Sequence, residues 1–166
     1  MKKQLAAFVF ATMMALTAVL NAHAQSTSAI GISASIQSSQ FDILVPIWLG
    51  NHFSISPAVG LVWVKDGTTD IRFAIAPRYY FYKEKFAPYV GARVGVLMAS
   101  AEGVSGTTDI LAGLAGGGEY FLDGHFSLGV EAQFNIISAD DNSSRIGSPG
   151  AVQANTAAAV FATIYF

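Results

Sequence analysis

The chain has 166 residues, of which 52% are apolar and only 12% charged, with nine Lys and Arg against eleven Asp and Glu and no cysteine. A charged share about half that of a soluble domain, no basic surplus and no thiol exclude a nucleic-acid binder and a disulfide-stapled secreted scaffold. Beyond residue 24, Gly, Ser, Pro and charges interrupt every apolar run, which excludes a helical membrane protein as well.

At the start, Lys2 and Lys3 precede an uncharged apolar run from Leu5 to Leu20, and Asn21-Ala22-His23-Ala24 follows. The run falls short of the roughly 20 residues that a spanning helix needs. With the Ala-x-Ala site directly behind it, it reads as a secretory signal peptide cut after Ala24. The expected mature domain is then residues 25–166, with seven basic against eleven acidic residues and a net charge of −4.

Along that domain the apolar residues recur with period two, the signature of half-buried strands. Weak alternation covers 29–37, 42–49 and 53–65. It sharpens at 71–82, where Ile71, Phe73, Ile75, Pro77, Tyr79 and Phe81 alternate with Arg72, Ala74, Ala76, Arg78, Tyr80 and Tyr82. Residues 89–98 repeat it, and 110–122 do so more weakly. The clearest case is 126–137, where Phe126, Leu128, Val130, Ala132, Phe134 and Ile136 alternate with Ser127, Gly129, Glu131, Gln133 and Asn135. A last strand, again with weaker alternation, covers 154–166. Eight strands of about ten residues suit a tilted membrane strand.

Short turns at Gly50-Asn51-His52, Lys83-Glu84-Lys85 and Asp123-Gly124-His125 interleave with polar loops at 66–70, 100–109 and 139–152, while the first loop, near Ser38 to Phe41, is brief. That asymmetry is expected of outer-membrane barrels, with short turns in the periplasm, and an even strand count puts both ends of the domain there. Pro46, Pro57 and Pro77 stand at strand positions where proline ordinarily argues against a central strand, and are expected at bulges or strand ends.

The same alternation would suit a soluble barrel with an apolar cavity, so side-chain size has to decide between the two. The polar parity is crowded with Gly31, Ser33, Ser35, Ala58, Gly60, Ala74, Ala76, Gly91, Gly95, Gly113, Ala115, Gly117 and Gly129. Water sets no limit on side-chain size, whereas the lumen of eight strands is barely wide enough for its side chains. Small residues belong inside, and the apolar parity faces lipid.

The strand-core ions agree, since Arg72, Arg78, Arg93, Glu119 and Glu131 all share the polar parity, and a charge facing midplane lipid costs about 2–4 kcal/mol. They are expected to form an ion-pair network in the lumen. Lys65, at a loop end, is the exception. Phe53, Trp63, Phe73, Tyr79, Phe81, Phe86, Tyr120, Phe126 and Phe134 are expected to form girdles at the two interfaces. The fold class predicted is an all-β, eight-stranded antiparallel up-and-down transmembrane barrel.

The signal peptide, the eight strands, Pro88-Tyr89-Val90-Gly91 and the ending Val160-Phe161-Ala162-Thr163-Ile164-Tyr165-Phe166 together resemble the small outer-membrane β-barrel proteins related to OmpA, OmpX and the opacity-type proteins. The resemblance implies the outer membrane of a Gram-negative bacterium. It also implies recognition of terminal Phe166 by the assembly machinery and periplasmic chaperones. Ile164 departs from the aromatic common at the third position from the end.

Other motifs have simpler readings. His52-Phe53-Ser54 and His125-Phe126-Ser127 pair a nucleophile type with a base type, as in lipid A deacylases, but both follow turns expected on the wrong side for that substrate. Asp140-Asp141-Asn142 offers oxygen ligands, yet no further acidic ligand follows in the loop. Asn142-Ser143-Ser144 matches a glycosylation acceptor with little weight in a bacterial setting, and Gly116-Gly117-Gly118 lacks the helix that phosphate cradling needs. No catalytic residue, metal ligand or cofactor is therefore assigned.

The expected role is structural or surface-interacting, in a monomer surrounded by outer-membrane lipids with no nucleic-acid partner. The alternatives are a small channel for minor solutes, a lipid-modifying enzyme and a soluble ligand carrier.

Overall fold

The computed structural model describes residues 30–38, 40–63, 69–100 and 106–166, with the side chain of residue 63 left aside. The expected signal peptide at 1–24 and Lys65 lie outside the described residues. Nine strands are described: β1 Gly31–Gln37, β2 Gln40–Leu44, β3 Ile47–Trp48, β4 Phe53–Trp63, β5 Thr69–Tyr80, β6 Phe86–Ser100, β7 Thr107–Phe121, β8 Phe126–Ser138 and β9 Val152–Tyr165.

All pairings are antiparallel, and each strand from β4 to β9 pairs with the next. Three further pairings close the ring: β1 lies against β9, and β2 pairs with both β1 and β4. β2 and β3 are two halves of one stave, so the sheet is a closed eight-stave barrel, which is what a sheet in lipid requires.

The break in that stave corrects the single strand expected at 42–49, and proline is its cause. Pro46 stands between β2 and β3, and Pro57 sits opposite on β4, where its carbonyl accepts from Val45 N at 2.9 Å. The N–H that Pro57 lacks would face the same gap, so two prolines share one interruption. Pro77 is accommodated in the same way inside β5, because the β5–β6 ladder runs from Ile75↔Val94 to Arg78↔Gly91 and skips the positions between. The prolines lie within the wall at ladder gaps rather than only at strand ends.

Side-chain direction follows the alternation. On β8, Val130 is 60% exposed, Phe134 47% and Ile136 45%, whereas Glu131, Gln133 and Asn135 on the other face are buried. Exposed Ile32, Leu61, Ile75, Val94, Ile110, Leu114 and Val160 continue the apolar band around the barrel. The cavity-binding arrangement, greasy inside and ionic outside, is therefore not the one this chain adopts. Turns 50–52, 82–85 and 122–125 gather at one end, with Ile30 and Phe166 beside them. The other end carries the tight connection at Ser38, which holds a left-handed φ of 51°, and the loop 139–151.

Candidate functional site

The polar chemistry of this barrel is in its lumen, stacked in four layers. At the turn end the layer is aromatic: Trp48 of β3, Tyr80 of β5, Tyr89 of β6, and Phe161 and Tyr165 of β9 form one buried cluster, with Phe121 of β7 packed on it. The Trp48 and Tyr80 rings are 4.6 Å apart. Lys83, in the turn beneath, puts its ammonium 3.9 Å from the centre of the Trp48 ring, a cation–π contact that caps the cluster. Burial there pushes the Lys83 ammonium below its ordinary pKa, with Glu119 opposing the shift. Below the cap a vestibule of 610 Å³ opens between Trp48, Lys85, Asp123 and Tyr165.

Glu119 crowns this layer and accepts from the hydroxyls of Tyr80 and Tyr165, each at 2.7 Å, and of Ser127. Three hydroxyl donors are what a buried carboxylate without a cation needs. Next comes the Arg78–Glu131 pair, joined by two hydrogen bonds of 2.8 and 3.1 Å to one carboxylate oxygen. Tyr89 Oη and Gln133 Nε2 also donate to Glu131, each at 2.7 Å. The Arg78 guanidinium lies between the Tyr89 and Phe161 rings, 4.7 and 4.5 Å from their centres. Ion pair, rings and amide together fill the cross-section.

Above it Asp42 of β2 bridges two arginines, Arg72 at 3.0 Å and Arg93 at 2.8 Å. Arg93 also donates to Gln37 and Gln133. At the loop end Asp109 is wholly buried and accepts from Asp140 N, Ser143 Oγ and Arg145 Nε. Arg145 reaches on to Asp70 of β5 with two hydrogen bonds of 2.9 and 3.3 Å. The loop 139–151 is thereby strapped across the mouth.

Glycines make room for these layers. Gly60 stands between Asp42 and Arg72 in the cross-strand register, Gly117 between Tyr89 and Glu131, and Gly129 between Glu119 and Phe161. A Cβ on Gly117 would lie 2.7 Å from Tyr89 Oη, and one on Gly129 would run into the Phe161 ring. Each glycine is a saddle over which residues two staves apart can meet.

Of the five ions expected in one network, the structure pairs Arg78 with Glu131 directly. It separates the others: Glu119 bonds hydroxyls rather than an arginine, and Arg72 and Arg93 turn to Asp42. Asp42, Asp70, Asp109 and Arg145, and the three lumen tyrosines, were not among the expected site residues. Asp42 carried a signal, since it has the opposite parity to Phe41 and Ile43.

Among the girdle residues, Phe53, Tyr79, Phe81, Phe86 and Tyr120 are exposed near the turn end, and Phe126 is half-buried there. Tyr79 stacks on His52 and meets Phe81 edge-on. Phe134 is exposed on β8, Phe73 is half-buried at mid-strand opposite Val59 and Val96, and the Trp63 side chain lies outside the described residues. Phe166 is exposed, and its N–H closes on Ile30 O at 2.9 Å.

Neither His–Ser motif forms a nucleophile–base contact. His52 and His125 lie in exposed turns, Ser127 donates to Glu119, and buried Ser54 has no hydrogen-bond partner among the described residues. Asp140 accepts from the backbone and side chain of Asn142, an ordinary side-chain-capped turn. Gly116 and Gly118 face outward on β7 while Gly117 faces the lumen.

No family model and no curated protein sequence matches the chain. Among solved structures it is similar to the N-terminal β-barrel domain of Pseudomonas aeruginosa OprF, with a TM-score of 0.63 at 12% identity over 86% of this chain and 100% of that one. It is also similar to Neisserial surface protein A, NspA, with a TM-score of 0.52 at 16% identity over 82% of this chain and 93% of that one. The fold is that of the small eight-stranded outer-membrane barrels.

Proposed function

We propose that this chain is an outer-membrane barrel protein with a structural or surface-interaction role and no catalytic one. It is a monomer among outer-membrane lipids, delivered by periplasmic chaperones and the assembly machinery through its terminal Phe166. The observation that carries this reading is the pairing of an apolar outer belt with a lumen blocked by Arg78, Glu131 and the aromatic layer. The belt favours lipid as surroundings, and the block favours a role exercised by the ends and wall rather than by flow.

The test is membrane fractionation combined with gel migration before and after heating. The expected result is outer-membrane recovery with a heat-modifiable band; recovery in the aqueous periplasm would overturn the reading. A second reading, a small channel, draws on the spaces either side of the block, 80 Å³ among the upper polar residues and 610 Å³ at the turn end. Steady single-channel conductance in planar bilayers would favour it, and its absence favours the filled barrel.

A further inference from the structure

We infer that the upper half of β9 is a docking edge for one extended peptide strand of a partner protein, which adds to the wall above β1. Closure of the ring does not reach the full height of the sheet. β9 pairs with β8 along its whole length, from Phe126↔Ile164 to Ser138↔Val152, but its ladder with β1 stops at Ile36↔Val160. On the far side, β4 pairs with β2 as far as Gly60 and runs on beside β5 to Trp63. The tight β1–β2 hairpin at Ser38 thus leaves a notch between two taller staves.

The β9 edge that faces the notch has unspent backbone groups. Tyr165 N donates to His125 O on the β8 side, whereas Phe166 N donates to Ile30 O on the β1 side. Successive residues of a strand turn their amides to opposite neighbours. Neither ladder skips a residue of β9, so Ala154, Thr156 and Ala158 turn theirs to the notch. None of the three has a backbone partner there among the described residues. A bare edge is a template for another strand, and where it nears lipid its open amides cost more than they do in water.

What the added strand carries follows from the two faces of β9 and from β1, which occupies the same edge lower down. Ala154, Thr156 and Ala158 are small and exposed on the outer face, leaving room for bulky apolar neighbours. On the inner face Asn155 lines the 80 Å³ cavity together with Gln37 and Gln40, which suits uncharged polar ones. β1 has that alternation, with Ile32 and Ile36 outward and Ser33 and Gln37 inward. Backbone bonds along the edge then supply affinity, and the alternating side chains supply selectivity. A second copy of this chain fits less well, because strands tilted by about 35–45° in two barrels side by side in one membrane cross rather than run alongside.

The inference gives the surface-interaction reading a place and rests on that reading only for the partner's being another protein. Its test needs neither membrane nor native partner, so its failure leaves the fractionation result untouched. Amide hydrogen exchange is read by NMR on the folded chain in nonionic micelles, with a synthetic heptapeptide of the sequence Gly31–Gln37 as probe. In the free protein the amides of Ala154, Thr156 and Ala158 should exchange fast, while those of Asn155 and Ala157, turned to β8, stay protected. Saturating peptide should slow the three edge amides by about tenfold or more, as a backbone bond does. The same peptide N-methylated at the positions of Ile32, Ala34 and Ile36 should slow none of them. Thr156→Pro removes one notch-facing N–H and leaves the β8 ladder its donors; it should abolish the protection while the heat-modifiable band is retained. If that variant does not close, the methylated peptide still decides. Slow exchange of the three amides in the free protein, equal protection by the methylated peptide, or no protection by the plain one would each overturn the docking edge.

Discussion

Arg78 and Glu131 concentrate most of the cost of a mistake at single-residue scale. Removing one member of a buried pair leaves the other charge uncompensated, at about 3–5 kcal/mol. Arg78→Leu should therefore lower barrel stability by about that amount in urea titrations of the lipid-refolded protein. Arg93→Leu should cost less, because Asp42 keeps Arg72; equal losses would mean the two layers act as one. The saddle glycines make a second prediction. Gly129→Ala pushes the Phe161 ring off Arg78, and overpacking of this kind costs about 1–3 kcal/mol. Gly116→Ala on the same sheet meets open space and should be near neutral in the same titration.

These pairings also mark where the sequence stops being readable. Period two fixes which way Arg72, Arg78 and Glu131 point, but not whom they meet. Arg72 reaches Asp42 over Gly60, so the partner sits two staves away, on a strand of five residues whose alternation shows which way Asp42 points but not whom it meets. Tyr80 and Tyr79 look alike in composition, yet one donates to a buried carboxylate and the other stands outside with Phe81. Parity separates them. The hydroxyl's role depends on Glu119, which is 39 residues further along the chain.

At the scale of elements, β5, β6 and β8 were the most legible because long alternating runs repeat the signal, whereas the break in the β2–β3 stave was not, because it depends on Pro46 and Pro57 coming together across the hairpin that turns at 50–52. The outward parity makes a direct test. Val130→Arg on β8 should cost about 2–4 kcal/mol in lipid, as a cation at the bilayer midplane does. A loss well under this range would place Val130 away from midplane lipid.

The turns offer a pH test. Asp123 accepts from His125 N and Phe126 N, both at 2.7 Å, and these bonds hold its carboxyl below the usual carboxylate range. A depressed folded pKa contributes stability above the unfolded value and loses it as the pH falls through the folded one. The stability gap between wild type and Asp123→Ala should be full at neutral pH and close in acid below the ordinary carboxylate range; a gap that is constant with pH would show that the charge is irrelevant.

For the whole molecule, the lumen alternates blocked and open sections, and the strap at its mouth ties a loop to the wall through Arg145. Arg145→Ala should leave the barrel closed, with its heat-modifiable band intact, while proteolytic nicking between residues 139 and 151 speeds up several-fold. Unchanged nicking would show that the loop is held by its own turns. The overall architecture was readable from strand count, side-chain size and turn spacing. The strap was not, because Asp109 meets Ser143 and Arg145 only once β7 pairs with β8, and Arg145 reaches Asp70 of β5 only after three staves have curved round.

The first and last staves run side by side along their length, from Gly31↔Tyr165 to Ile36↔Val160, and Phe166 finishes within a hydrogen bond of Ile30. Topologically the wall is a ring with a seam, and where the seam falls is incidental to the hydrogen-bonding pattern. A short linker from Phe166 to Ile30, with new ends opened inside the turn at Gly124, should yield a permuted chain with the same circumference and the same contents. Order of synthesis and order in space would then be separable variables, and the pace at which the ring shuts could be compared for two starting points on one wall.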